Sequence, residues 1–318
     1  MPGPTFVDDA PAARIEHLRE RLCDLATVPL PGHGETRRRF RVLADAGRRD
    51  ASLGRLLEGH LDALAIRAEL GAPRVIDRLL GVWAARPDEV RATPTSSGWH
   101  LRGVKPWCSG AGALDRALLT AVDEHGRPHL FDVDVAALGF RDDWEPMGMQ
   151  ASDSRTADVD VVVARGDEVG QAGAYVDRAG FGHGGVGVAA VWYGVADHLG
   201  GDLATRAAGR EDPHLDAAAG EVSALLAAAA SILRVAAGQI DTAPHDVGAS
   251  VRRAAVVRNA VGGIGRRVAT TVAIAGGASP LAFDRQHARA LADLTVYLGQ
   301  LHHGHDAAGI RRDDAWDL

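Results

Sequence analysis

The chain has 318 residues, 46% hydrophobic and 24% charged, a balance that excludes a disordered or fibrous protein. Its 42 acidic and 35 basic residues give a formal charge of −7, and no basic tract exceeds Arg37-Arg38-Arg39, so nucleic acid is not an expected partner. Two distant cysteines, Cys23 and Cys108, can build neither a disulfide framework nor a cysteine metal site; with no apolar leader and no run of 18 uncharged apolar residues, a cytoplasmic protein without a membrane partner is expected.

The first 80 residues carry helical stripes. Ile15, Leu18, Leu22 and Leu25 form one, Leu53, Leu56, Leu57, Leu61 and Leu64 another, and PLPGHGE at 29–35 separates them. From 81 to about 170 the period changes to two, in LLTAV at 118–122, HLFDVDV at 129–135 and VDVVVA at 159–164, with DEHGRP as a turn between the first two. The helical period returns from about 184 in long Ala-rich segments broken by GREDPH at 209–214, DTAPHD at 241–246 and GGASPL at 276–281.

This order predicts an α+β fold with a short N-terminal helical domain (1–80), a middle β domain (81–175) and a C-terminal four-helix bundle (176–318). The glycine clusters HGGVG at 183–187 and VGGIG at 261–265 follow no strand of a βαβ unit, so no Rossmann fold is expected. The abundance of Ala and Gly suits helices that pack closely.

The most specific stretch is Gly103-Val104-Lys105-Pro106-Trp107-Cys108-Ser109-Gly110-Ala111. It resembles the G-x-K-x-W-I-T/S-x-A/G segment of the acyl-CoA dehydrogenases, flavoproteins with the same order of helical, β and bundle domains. The resemblance implies that Trp107 packs on the isoalloxazine and that the Ser109 hydroxyl bonds the flavin N5 edge. A strand Trp in a core beside a turn Ser is the alternative.

Upstream, Gly81-Val82-Trp83-Ala84-Ala85-Arg86-Pro87 falls where that family has its A-L-T-E-P strand end, which implies that Trp83, Ala84 and Ala85 line the flavin pyrimidine ring. The G-S-D loop that normally follows is missing. Met147-Gly148-Met149-Gln150-Ala151-Ser152 resembles the family's M-G-x-R-G/A-S. Arg206 matches the Arg of R-x-x-F-G, which in the family reaches the pyrophosphate of a neighbouring subunit, and Gly276-Gly277 matches a late Gly pair close to the same cofactor. A solvated Arg and a helix C-cap are the alternatives. The implied cofactor is FAD, or FMN, and the implied assembly a homodimer or homotetramer.

Removal of an α-proton from an acyl thioester needs a carboxylate base. Where the family places that Glu in Y-E-G-T, this chain has Tyr297-Leu298-Gly299, with Asp293 standing for the Asp of R-D. The other family position, on the first long bundle helix, falls on Gly184. His183 beside it is then the first acid/base candidate, since an imidazole titrates near neutrality. His303 is the second, because monooxygenases of the same fold that use reduced flavin place histidines near the ring from this C-terminal segment; His302 and His305 are its solvated neighbours. Adjacent histidines on a helix diverge and have no ligand set beside them, so no metal is expected.

Three functions remain open: a flavin oxidoreductase of acyl-CoA dehydrogenase type on an acyl thioester or other small molecule, a reduced-flavin monooxygenase on that fold, and a non-catalytic scaffold.

Overall fold

The structure, a computed structural model, describes residues 10–301 together with 307, 308 and 310. Helices α1 (Ala12–Arg19), α2 (Leu22–Leu25), α3 (Thr36–Arg49) and α4 (Ala51–Glu69) come first. Strands β1 (Leu80–Trp83), β2 (Val90–Pro94), β3 (Gly98–Cys108), β4 (Arg116–Val122), β5 (Pro128–Asp134), β6 (Gly139–Phe140) and β7 (Arg155–Ala164) follow. Then come the short α5 (Ala174–Asp177), the three 30-residue helices α6 (Ala179–Ala208), α7 (Pro213–Thr242) and α8 (Val247–Gly276), and α9 (Ala278–Phe283) and α10 (Arg285–Tyr297). The fold is α+β, helices flanking a mixed sheet.

Local chemistry explains the helix boundaries. Asp50, Asp212, Asp246 and Asp284 each accept hydrogen bonds from first-turn amides of α4, α7, α8 and α10, satisfying donors that have no intrahelical partner. Asp50 does more. Its buried Oδ2 also accepts from Arg14 at 2.7 Å and from Arg289 at 2.9 Å, tying α1, α4 and α10 together. On α7 one stripe is buried, Leu215, Val222, Leu226, Ala229, Leu233, Ala236 and Ile240, at the spacing of a bundle seam. Among the described residues α7 is the one helix long and apolar enough to cross a membrane by length and composition, and 28% of its most apolar window is buried.

The Ala- and Gly-rich helices approach closely. A side chain at Gly47 of α3 would collide with the carbonyl of Val191, and one at Gly194 of α6 with that of Ala44, so the two glycines let α3 and α6 cross nearly backbone to backbone.

In the sheet, β1 pairs in parallel with the first half of β4 (Leu80↔Arg116 to Trp83↔Leu119), and β2 rejoins the same edge at Arg91↔Val122. The chain between them, 84–89, therefore bows away from β4 at Thr120. Along the rest of the sheet the order is β4-β2-β3-β7-β6, with β5 on the opposite edge of β4. Helix α4 lies between this sheet and the bundle and is buried along most of its length.

Candidate functional site

The bow between β1 and β2 is held by a buried lysine. Lys105 reaches from β3 and donates from Nζ to the Thr120 carbonyl (2.7 Å), the Thr120 hydroxyl (2.8 Å) and the Arg86 carbonyl (3.4 Å). The Thr120 hydroxyl in turn donates to the Ala84 carbonyl at 3.1 Å. With no carboxylate bonded to it, burial lowers the Lys105 pKa to about 8. Ala84 is half-buried and Ala85 exposed at the end of the strand. Trp83 points the other way, into the core, where it meets Phe140 edge to face and its Nε1 donates to the Ser109 carbonyl at 3.1 Å. Its side chain is therefore a brace beneath Ser109, and any contact of Trp83 with a ligand ring would come from its backbone.

At the end of β3 the pairing with β7 slips between Lys105 and Cys108, and Trp107 takes a left-handed backbone with φ 65°. This turns the indole outward. Trp107 is 56% exposed and stands edge to face with Trp144, ring centres 6.0 Å apart, whereas Cys108 is wholly buried and its thiol is pushed up to about 12 by that burial. Ser109, one residue on, bonds through Oγ to Ser154 Oγ at 2.8 Å. Gly110, with φ 75°, packs on Leu56 of α4 and donates to the Ser152 carbonyl at 2.7 Å.

The helical wall of the site comes from α4, α6 and α10. Gly59 of α4 faces Val82 of β1, and beside it Arg55, Glu58 and Asp62 lie on one helix face. Arg55 Nη1 pairs with Glu58, and Arg39 of α3 donates to Asp62 at 3.1 Å. Burial raises the Glu58 pKa to about 7; Arg55 opposes the shift, and the neighbouring Asp62 carboxylate adds to it by charge and by a shared hydrogen bond. Arg55 Nε and the buried Tyr297 hydroxyl have no hydrogen-bond partner among the described residues. Burial raises the Tyr297 pKa, and nearby Glu58 raises it further.

Asp62 also bears on the missing base. A Cβ on Gly184 would stand 2.6 Å from Asp62 Oδ2, so a carboxylate from α4 fills the space beside Gly184 that a side chain on α6 would occupy. Leu298, at the other base position, is buried against Gly262 and Gly265 of α8.

His183 is not a free base. It is 3% exposed on α6, Nε2 lies 2.9 Å from the Pro244 carbonyl and Nδ1 3.3 Å from Ser250 Oγ, and desolvation lowers its pKa. Those bonds direct it to the α7–α8 corner. Arg206, in the last turn of α6, pairs with Asp284 at 2.7 Å. Gly276 ends α8, and Gly277, with φ 66°, turns the chain into α9. His303, with His302 and His305, lies outside the described residues.

Thus Trp107 stands against Trp144 and Ser109 against Ser154, and the end of β1 reaches them through Trp83, whose indole bonds the Ser109 carbonyl; Arg55, Glu58 and Asp62 lie on α4 between β1 and α6, and the sequence reading passed over these three along with Trp144 and Ser154. Their one legible signal was three ionisable residues at positions 55, 58 and 62 of an otherwise Leu- and Ala-rich helix.

No family model matches the chain. A dibenzothiophene monooxygenase of Mycolicibacterium goodii is 28% identical over 178 residues, 47% of this chain and 43% of that protein, so the match spans less than half of the curated relative's length. Among solved structures, TdsC from Paenibacillus sp. A11-2, in complex with FMN and indole, is similar with a TM-score of 0.83 at 20% identity, over 95% of this chain and 89% of that one. Butyryl-CoA dehydrogenase from Megasphaera elsdenii is similar with a TM-score of 0.78 at 15% identity, over 97% and 98%. The chain has the acyl-CoA dehydrogenase-like fold, which flavin monooxygenases share.

Proposed function

We propose that this chain is a flavin-dependent oxidoreductase, and that it works as a monooxygenase on flavin supplied in the reduced state, with a small organic molecule as substrate. The observation that carries the reading is the outward-turned Trp107, paired with Trp144 and followed by the Ser109 hydroxyl just past the end of β3. Exposed aromatic faces next to a polar hydroxyl and a strand end pinned by Lys105 fit a flat, partly polar ring. Trp107, Ser109 and the backbone of Ala84 and Ala85 would hold a flavin, FMN or FAD. When bound, that group supplies the electrons and the centre at which oxygen reacts.

The chain's own residues then orient and move protons. Lys105 and Thr120 fix the strand end against the ring. Glu58, with a pKa of about 7 beside Asp62 and Arg55, is the group best suited to hold a proton and release it at neutral pH. Dehydrogenation of an acyl thioester is the second reading. It is disfavoured because Leu298 is apolar and packed on α8, and because the name of the 28%-identical relative points to oxygenation.

Self-association and a cytoplasmic location belong to the same proposal. Ile274 (77% exposed), Leu281 and Phe283 (89%) project from the α8–α9 end of the bundle, beside the largely uncovered α7, and a second copy would cover them.

Visible-absorption titration of the purified protein with FMN and FAD tests the reading. Binding that is lost or strongly weakened in Trp107→Ala is expected, together with rapid reoxidation of added reduced flavin by air. Rapid anaerobic bleaching of bound flavin by a saturated acyl-CoA would favour the dehydrogenase instead.

A further inference from the structure

Three serine hydroxyls run in a line from the site into the β domain. Ser109 Oγ lies 2.8 Å from Ser154 Oγ, Ser154 Oγ lies 2.8 Å from Ser152 Oγ, and Ser152 Oγ donates to the Met149 carbonyl at 2.8 Å. A hydroxyl has one proton to give and a carbonyl has none. The Met149 oxygen therefore sets the direction of the whole line: Ser152 donates to Met149, Ser154 to Ser152, and Ser109 to Ser154.

The inner end is fixed. The Met149 carbonyl also accepts from Trp144 Nε1 at 3.2 Å and from the Ser152 amide at 3.0 Å, and the Met149 amide donates to the buried Asp293 of α10 at 2.5 Å. All three serines are buried, with Ser152 1% exposed and Ser109, the outermost, 9%. Ser109 thus has its proton committed inward and offers the site only lone pairs.

We infer that this hydroxyl line makes Ser109 an acceptor toward its ligand and so selects the reduced flavin ring, whose N5 carries a hydrogen, over the oxidised ring, whose N5 only accepts. The inference rests on the flavin reading above and deepens it by giving the Ser109–N5 bond a direction. To donate outward to an oxidised ring, Ser109 would need the whole line reversed, at the loss of the Ser152–Met149 hydrogen bond. One neutral hydrogen bond corresponds to a preference of roughly three- to tenfold. Ser152 and Ser154 act through Ser109 and are positioning residues.

The experiment measures dissociation constants for oxidised FMN in air and for photoreduced FMN under anaerobic conditions, with the wild-type protein, Ser152→Ala and Ser154→Ala. The wild type should bind reduced FMN more tightly. In Ser152→Ala the inner acceptor is gone, so Ser154 can donate to Ser109 and Ser109 can donate outward. The oxidised-to-reduced ratio of dissociation constants should fall roughly three- to tenfold, mainly through tighter binding of oxidised FMN. Since a tenfold change corresponds to about 30 mV for two electrons, the bound-flavin potential should drop by up to about that amount. Ser154→Ala should shift the ratio in the same direction and serves if Ser152→Ala fails to fold. An unchanged ratio, or equal weakening of both redox forms, in variants that still bind FMN would overturn the inference and leave the flavin reading standing. A wild type that binds neither form would overturn both.

Discussion

Lys105 closes the opening between β1 and β2 by donating to both the carbonyl and the hydroxyl of Thr120, and Thr120 passes the restraint on to Ala84. Replacing the lysine by Met removes three hydrogen bonds from buried acceptors and should cost about 1–3 kcal/mol, with weaker flavin binding because the 84–86 segment loosens. The folded-state pKa of about 8 lies below the ordinary 10.5, so the stability linked to this group is present above 10.5 and is lost as pH falls through 8. Urea unfolding of wild type and Lys105→Met across that window should show the wild type gaining on the variant as pH rises. A parallel pair of curves would mean that Lys105 does not titrate there.

Glu58 behaves in the opposite sense. Its folded-state pKa of about 7 stands above the ordinary 4.5, so its contribution is fully present below 4.5 and is lost as pH rises through 7. Glu58→Gln should therefore gain stability relative to wild type on going from acid to neutral pH, by up to about 3 kcal/mol. His60, two residues along, has a pKa lowered to about 4 because burial disfavours its charge, and its contribution runs the other way in both proteins, so it cancels in the difference. If Glu58 supplies the proton in turnover, the rate should follow one titration near pH 7 that is absent in the Gln variant.

His183 joins the start of α6 to the α7–α8 corner through Pro244 and Ser250. His183→Ala should lower the unfolding free energy by about 1–3 kcal/mol and leave flavin affinity unchanged. A variant of wild-type stability whose turnover collapses would return His183 to a catalytic role.

The apolar end of the bundle gives the test of association. Phe283→Asp and Ile274→Asp place charge on residues that are 89% and 77% exposed, which a folded monomer should tolerate. Light scattering should show wild-type oligomers and dissociated variants. Identical masses would place the interface elsewhere or remove it.

The sequence by itself determined the order of helices, strands and bundle, because side-chain periodicity is a local property: LLTAV at 118–122 lies on β4, HLFDVD at 129–134 on β5, and GREDPH at 209–214 spans the break between α6 and the first turn of α7. It also marked Trp107 and Ser109, since the segment that contains them is contiguous. Only the tertiary structure decided what surrounds them. The leucine stripe of α4 was legible, but nothing in the spacing singled out residues 55, 58 and 62; α4 is enclosed by the sheet on one side and by α6 and α10 on the other, so Glu58 is buried and its pKa rises. The histidine at 183 read as an acid/base candidate or as a cap or solvated side chain at a helix start, and two partners more than sixty residues away take up its nitrogens. The donor or acceptor character of Ser109 is fixed by a carbonyl forty residues further along the chain, at Met149. Burial, and the direction of a hydrogen-bond chain, depend on which segments meet in space, and residue spacing along one segment carries no record of that.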